Sequence, residues 1–306
     1  MPRMTEPYRP RRLPVSLQRE LRGARHHLTV WPGEDPPIVL LHGFMDCGAT
    51  YQFVVDELAT RRTLVAPDWR GFGRSAWAPE GYWFPQYFAD LEALLDAYSL
   101  DAADLVGHSM GGNIALAYAG VRPDRARSVV TLEGFGMSGT PPDTAPRRYR
   151  EWLDQLRHPE ASTVFPSHTV LAEVLRKRNP RLTPERASFV AQAWAEALDD
   201  GRARLRFDPA HKRVNPVLYR REEAEACWRG IVAPVAYVAG AESDFLARLH
   251  GAGDPERMRG LIPQLEPYIV ADAGHMLHHD QPGRVAAIID GFLEKVRDAR
   301  LAASSG

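Results

Sequence analysis

The sequence predicts an α/β fold in which a mostly parallel central sheet, flanked by helices, carries an inserted helical cap. Three observations predict it. Short apolar runs of buried-strand type alternate with segments of helical period over both ends of the chain. That alternation lapses between residues 137 and 230, where amphipathic helical segments follow one another without a convincing strand pair. The length of 306 residues suits one large α/β domain with an insertion.

Residues 1–23, rich in Arg and Pro, read as an N-terminal arm lying on the surface or against a partner. Residues 26–31 form the first expected strand. Pro36 and Pro37 punctuate before the apolar run 38–41, a second strand. Residues 50–59 have helical spacing, and 63–66 make a strand ending at Pro67. Phe84, Tyr87, Phe88, Leu91, Leu94, Leu95 and Tyr98 recur at helical intervals. A brief strand, 104–106, runs straight into Gly107, and the helix 113–121 stops before Pro123. Residues 128–132, 234–239 and 268–270 are further strands, followed by a helix over 284–297. Strands and helices alternating at this spacing indicate a parallel sheet covered on both faces. Pro141, Pro142 and Pro146 mark the entrance to the cap, whose helices are expected over 147–156, 170–178, 184–198 and 222–228. The domains are therefore the arm 1–23, a core formed by 24–136 and 231–300, and the cap 137–230.

Lys and Arg (38) balance Asp and Glu (39) to a net charge of −1, which gives no global attraction to nucleic acid or anionic membrane. Cys47 and Cys227 are too few for a disulfide framework and read as thiols in a reducing compartment. The first 21 residues lack an apolar run of signal-peptide length, and no apolar stretch approaches membrane-spanning length. A cytoplasmic protein with no membrane span is the expectation.

Gly107-His108-Ser109-Met110-Gly111-Gly112 lies between a strand and a helix. In that setting G-x-S-x-G forms a nucleophile elbow. Ser109 must occupy a strained turn, so the residues two before and two after it must be small. The turn lifts its hydroxyl off the sheet edge and aims the next helix's N-terminus at a developing oxyanion. The bland alternative is a Gly/Ser-rich turn without catalysis. In Leu40-Leu41-His42-Gly43-Phe44-Met45-Asp46, Gly43 permits close backbone approach, and the amides of Phe44 and Met110 would pair as oxyanion donors. His42 reads as a brace for that loop, and residues 67–75 as a tight structural loop beside it.

A serine nucleophile needs a base and an orienting acid. His275, in Ala273-Gly274-His275-Met276, is the candidate base. Asp244, in Glu242-Ser243-Asp244-Phe245, is the candidate acid, and Glu133, at the end of another strand, competes for that role. Ser109, Asp244 and His275 each follow an expected strand, where open α/β sheets place their sites, in the order Ser, Asp, His. His275, His278, His279 and Asp280 lack the matched ligand pattern of a zinc site, so no metal is expected, and the chemistry needs no cofactor. Met45, His108, Trp152, Phe165 and Trp194 are candidates for the pocket wall, with cap core as the alternative for the aromatics.

The segments LLHGF (40–44), PDWRGFGRS (67–75), GHSMGG (107–112), GAESDF (240–245) and GHMLHHDQP (274–282) resemble the α/β-hydrolase superfamily over residues 28–296, the cap matching in position rather than by motif. RLRFDP (204–209) with LEG (132–134) resembles its serine-hydrolase-like branch. The resemblance implies the α/β-hydrolase fold, Ser109 as nucleophile, His275 as general base, Asp244 as orienting acid, and oxyanion donors from Phe44 and Met110. Serine at 109 departs from the haloalkane dehalogenase and epoxide hydrolase members, which use a carboxylate nucleophile. Glu133 is similar to an acidic position of some dehalogenase-type members and stays open as the acid.

The expected reaction is hydrolysis of a small-to-medium carboxylic ester through an acyl-enzyme on Ser109. The same triad serves thioester, amide and C–C bond hydrolysis and acyl transfer. A hydrolase-derived ligand receptor with little turnover is the rival from another class. A homodimer contact through the cap or the arm is left open.

Overall fold

The computed structural model describes residues 7–78 and 80–304. The chain runs through β1 (Val15–Leu21), β2 (Ala24–Trp31), β3 (Glu34–Leu41), α1 (Gln52–Val55), β4 (Arg62–Pro67), α2 (Phe84–Ala97), β5 (Ala103–His108), α3 (Met110–Val121) and β6 (Ala126–Leu132). The inserted cap holds α4 (Ala145–Arg157), β7 (Val164–Phe165), α5 (His168–Arg178), α6 (Pro184–Trp194), β8 (Ala195–Ala197), β9 (Ala203–Leu205) and α7 (Arg221–Trp228). The core resumes with β10 (Val235–Gly240), α8 (Asp244–Ala247), α9 (Pro255–Leu261), β11 (Leu265–Val270), α10 (Leu277–Asp280) and α11 (Pro282–Ser304).

Eight strands form one sheet in the order β1-β2-β4-β3-β5-β6-β10-β11. From β4 to β11 all neighbours are parallel, while β2 runs antiparallel to both β1 and β4. Successive side chains of a strand point to opposite faces, and the burial follows that rule. Leu105, Val129, Val235 and Tyr237 enter one apolar core, and Val106, Val130, Ala236 and Val238 enter the other. A central strand buried on both faces reads as a continuous apolar run, as residues 38–41 do; β6 reaches the same burial with Ser128 and Thr131 among its apolar residues.

Two expectations need correction. The part of the arm that is described is built into the core: residues 15–21 form edge strand β1, paired along its length with β2. Five of its seven side chains are exposed, and Arg19 interrupts the alternation of Val15, Leu17 and Leu21, so the strand signal is weak, as at a sheet edge. Residues 1–6 lie outside the described residues. The cap, expected to be helical throughout, contains the antiparallel sheet β7-β9-β8. Strands of two or three residues are too short to show a period, and the helix expected to reach residue 198 passes at Ala195 into β8.

Ahead of β1 the arm is held by Asp56. Its carboxylate accepts the Tyr8 hydroxyl (2.8 Å), the amides of Arg11 (3.0 Å) and Arg12 (2.8 Å), and Gln52 Nε2 (2.8 Å). The Tyr8 ring meets Phe53 of the core and Phe189 of the cap edge-on, at 4.9 and 5.5 Å between centroids. Asp56→Ala leaves these donors without their acceptor and should destabilise the fold by about 2–4 kcal/mol. Urea unfolding will read this as a lower midpoint at constant slope; an unchanged midpoint would show that the arm contributes nothing.

Candidate active site

The sheet register brings the reacting groups together. His108 of β5 is aligned with Leu132 of β6, and Leu132 with Val238 of β10. The residues that follow, Ser109 and Glu133, therefore leave adjacent strands side by side. Their amides continue the ladder, Ser109 N–H to Leu132 O (2.8 Å) and Glu133 N–H to Val238 O (2.9 Å). Both then turn sharply with positive φ, 50° at Ser109 and 58° at Glu133. Non-glycine residues rarely hold this conformation, and strain of this kind gathers at functional sites.

His275 arrives from beyond β11. To reach β5 and β6 its loop passes over the end of β10, where a Cβ on Gly240 would fall 2.5 Å from the carbonyl oxygens of Ala273 and Gly274. Asp280 pins the loop through the Gly274 amide (2.9 Å), and His108 Nε2–H donates to the His275 carbonyl (2.8 Å). The imidazole then bridges two partners, with Nε2 3.1 Å from Ser109 Oγ and Nδ1 3.1 Å from Glu133 Oε2. Phe245 stacks on its ring at 4.8 Å between centroids.

The carboxylate that meets His275 is thus Glu133 and not Asp244. Glu133 is wholly buried and also accepts the Gly240 amide (2.7 Å) and the Ser243 hydroxyl (2.5 Å). Asp244 lies one step further out, exposed in the first turn of α8. The crossing of the His275 loop over β10 explains the difference: it carries the imidazole past the Asp244 side of the sheet to the end of β6. Ser243, which bonds Glu133, and Phe245, which stacks on His275, carry no signal of their own in the sequence; what marks them there is adjacency to the acidic loop.

A cleft of about 440 Å³ opens over Ser109, with Phe44, Met110, Trp152 and Phe245 among its lining. The Gly43 backbone presses against the elbow, since a Cβ there would stand 3.3 Å from Ser109 Cβ, so the amide of Phe44 follows directly beside the nucleophile. The other pocket candidates go elsewhere. Met45, Phe165 and Trp194 line a separate small cavity under the cap. His108 is buried beneath the site and braces His275. No described helix is long and apolar enough to cross a membrane.

Comparison with known proteins agrees with this architecture. The model of the alpha/beta hydrolase fold family matches residues 36–282. A serine hydrolase-like protein of Danio rerio is 25% identical over 304 residues, covering 96% of this chain and 91% of its own. The 2-hydroxy-6-oxo-2,4-heptadienoate hydrolase of Pseudomonas putida is 39% identical over 111 residues, 35% of this chain and 40% of its own. Among solved structures, the thioesterase domain from the curacin biosynthetic pathway superposes with a TM-score of 0.78 at 24% identity, covering 90% of this chain and 99% of that one. The chain belongs to the alpha/beta hydrolase family.

Several buried histidines surround Ser109, His275 and Glu133. His278 and His279 face Asp46, the three side chains offering donor atoms within 4.8 Å of one another, the one buried group of potential metal ligands among the described residues. Burial raises the Asp46 carboxyl, but the neighbouring histidines outweigh it and hold Asp46 well below the usual carboxylate range. Burial pushes His108 well below its ordinary value, keeping it neutral. Burial also pulls His279, and His211 between the rings of Phe72 and Tyr82, down to about 3.

Unfolding returns His211 and His279 to a pKa near 6.5, so below that pH the unfolded chain binds more protons than the native one. Stability should be full above about pH 6.5 and decline as the pH falls toward 3. Thermal unfolding between pH 7.5 and 4 will show a falling Tm, with a shallower fall in His279→Gln. A flat profile would mean that these imidazoles are not held neutral in the fold.

Proposed function

We propose that this alpha/beta hydrolase cleaves a small-to-medium carboxylic ester through an acyl-enzyme on Ser109, with His275 as base and Glu133 as orienting acid. The observation that carries the reading is the continuous hydrogen-bonded line from Ser109 Oγ through His275 to the buried Glu133 carboxylate.

In the first half-reaction Ser109 Oγ attacks the ester carbonyl carbon while its proton passes to His275 Nε2. The carbonyl oxygen becomes the oxyanion. The amide of Met110, first residue of α3, and the amide of Phe44 are the proposed donors, each contributing roughly 3–4 kcal/mol to the transition state. The C–O bond to the alcohol then breaks, and His275 gives its proton to the departing oxygen. Water enters by the reverse route, its proton taken by His275, and the acid leaves as Ser109 recovers its hydrogen. Glu133 stays ionised throughout. By accepting Nδ1–H it holds the tautomer with a bare Nε2 and stabilises the imidazolium that forms in each half-reaction.

Labelling with a fluorophosphonate and a panel of p-nitrophenyl esters of rising chain length test the reading together. The expected result is one label per chain on the Ser109 peptide with steady turnover, and loss of both in Ser109→Ala; a label elsewhere, or a single burst without turnover, would count against it. The acid is tested separately. Glu133→Gln should lower kcat by about 10²- to 10⁴-fold, whereas Asp244→Asn should stay within about twofold of the parent. The reverse pattern would restore Asp244.

A further inference from the structure

One cation in the catalytic cleft has no counterpart. Arg213 lines the same cleft as Ser109. Its Nε is buried without a hydrogen-bond acceptor, and among the described residues no carboxylate lies within ion-pair reach of its guanidinium. Arg213 as a whole is half-buried; the two arginines buried outright among the described residues are matched, Arg70 by Asp90 and Arg221 by Glu225. Glu80 lines the cleft as well but is exposed and forms no ion pair with Arg213. His211, two residues away, is kept neutral by burial, so the positive charge on this wall belongs to Arg213.

The wall that presents Arg213 is firmly built. His211 is stacked between Phe72 and Tyr82, with ring centroids at 4.0 and 3.6 Å. Asp208 caps the turn through the Ala210 amide (2.9 Å) and accepts the Tyr82 hydroxyl (2.7 Å). On the far side, Gln155 of α4 accepts the Val214 amide (2.7 Å), and Arg148 of α4 donates to the Asn215 carbonyl (2.7 Å). Backbone on both sides of Arg213 is therefore fixed, and Arg213 lines a cleft whose wall includes Tyr82, Trp83, Phe84 and Trp152. An unpaired charge in apolar surroundings is costly unless a ligand completes it. A guanidinium fork matches a planar carboxylate in both charge and shape.

We propose that Arg213 is a specificity-determining residue that pairs with a carboxylate remote from the scissile bond, so that the cleft selects anionic, carboxylate-bearing esters over neutral ones. This rests on the hydrolase reading for turnover but not for binding, and the test separates the two. The probes are the p-nitrophenyl hemiester of glutarate and the neutral p-nitrophenyl valerate, with the parent chain, Arg213→Gln and Arg213→Lys. The parent should favour the hemiester in kcat/KM by about tenfold or more. Arg213→Gln should lower the hemiester-to-valerate ratio by roughly 10- to 100-fold, chiefly through KM, with Arg213→Lys between them. Equal preference in the parent, or a ratio unmoved by Arg213→Gln, overturns the proposal. Binding of monomethyl glutarate to the Ser109→Ala variant, read by tryptophan fluorescence, needs no turnover. Weakening by a further Arg213→Gln change supports the anion subsite even if both esters resist hydrolysis, an outcome that would sink only the hydrolase reading. Unchanged binding overturns the subsite.

Discussion

The buried carboxylate of Glu133 is the interaction on which the rest of the site depends. A carboxylate removed from water is tolerated when its lone pairs are met by donors of fixed position. Here the donors come from three directions: the Gly240 amide at the end of β10, the Ser243 hydroxyl before α8, and His275 Nδ1. One group thus ties together the ends of three elements and sets the imidazole that faces Ser109. An acid on the outer loop would be solvated and free to turn, and would orient the ring less strictly.

This arrangement follows from sheet register more than from any single motif. Ser109 and Glu133 are successors of an aligned residue pair, so a slip of one residue between β5 and β6 would separate them and reverse their faces. Val129 and Val130 of β6, packed into opposite cores, oppose such a slip. Core packing and site geometry are in this sense the same constraint: the alternation that buries Val129 and Val130 on opposite faces also delivers Glu133 to the edge in phase with Ser109.

Much of this was legible in the sequence, and the failures are instructive. The parallel sheet was readable because its inner strands are continuous apolar runs between turn residues, and the elbow because Gly107 and Gly111 bracket Ser109 between strand and helix. The choice between Asp244 and Glu133 was not readable. Both follow strands, and only the three-dimensional path of the His275 loop across Gly240 decides which lies within reach. β1 is hard to read because Arg19 breaks the alternation of Val15, Leu17 and Leu21 and five of the seven side chains are exposed. The cap aromatics split for a similar reason. Trp152 faces the cleft while Phe165 and Trp194 face a second cavity, and a stripe of aromatics does not say which hollow it lines.

The cap is held to the core unevenly, and this bears on how a substrate reaches Ser109. Along one side the polar contacts run straight to the loops that build the site: Trp194 Nε1–H to Asp46 (2.7 Å), Asn179 to Asp280 (2.6 Å), Arg186 to the His279 carbonyl (3.0 Å), and Arg181 to Glu242. Displacing α5 or α6 would therefore disturb the loop that holds Asp46 or the His275 loop themselves. Helix α4, in contrast, has no buried residue, and its hydrogen bonds to Val214 and Asn215 stay within the cap. Trp152 and Leu156 of α4 line the cleft. Opening the cleft on the α4 side breaks none of the contacts that position the triad, while opening it on the α5–α6 side breaks several.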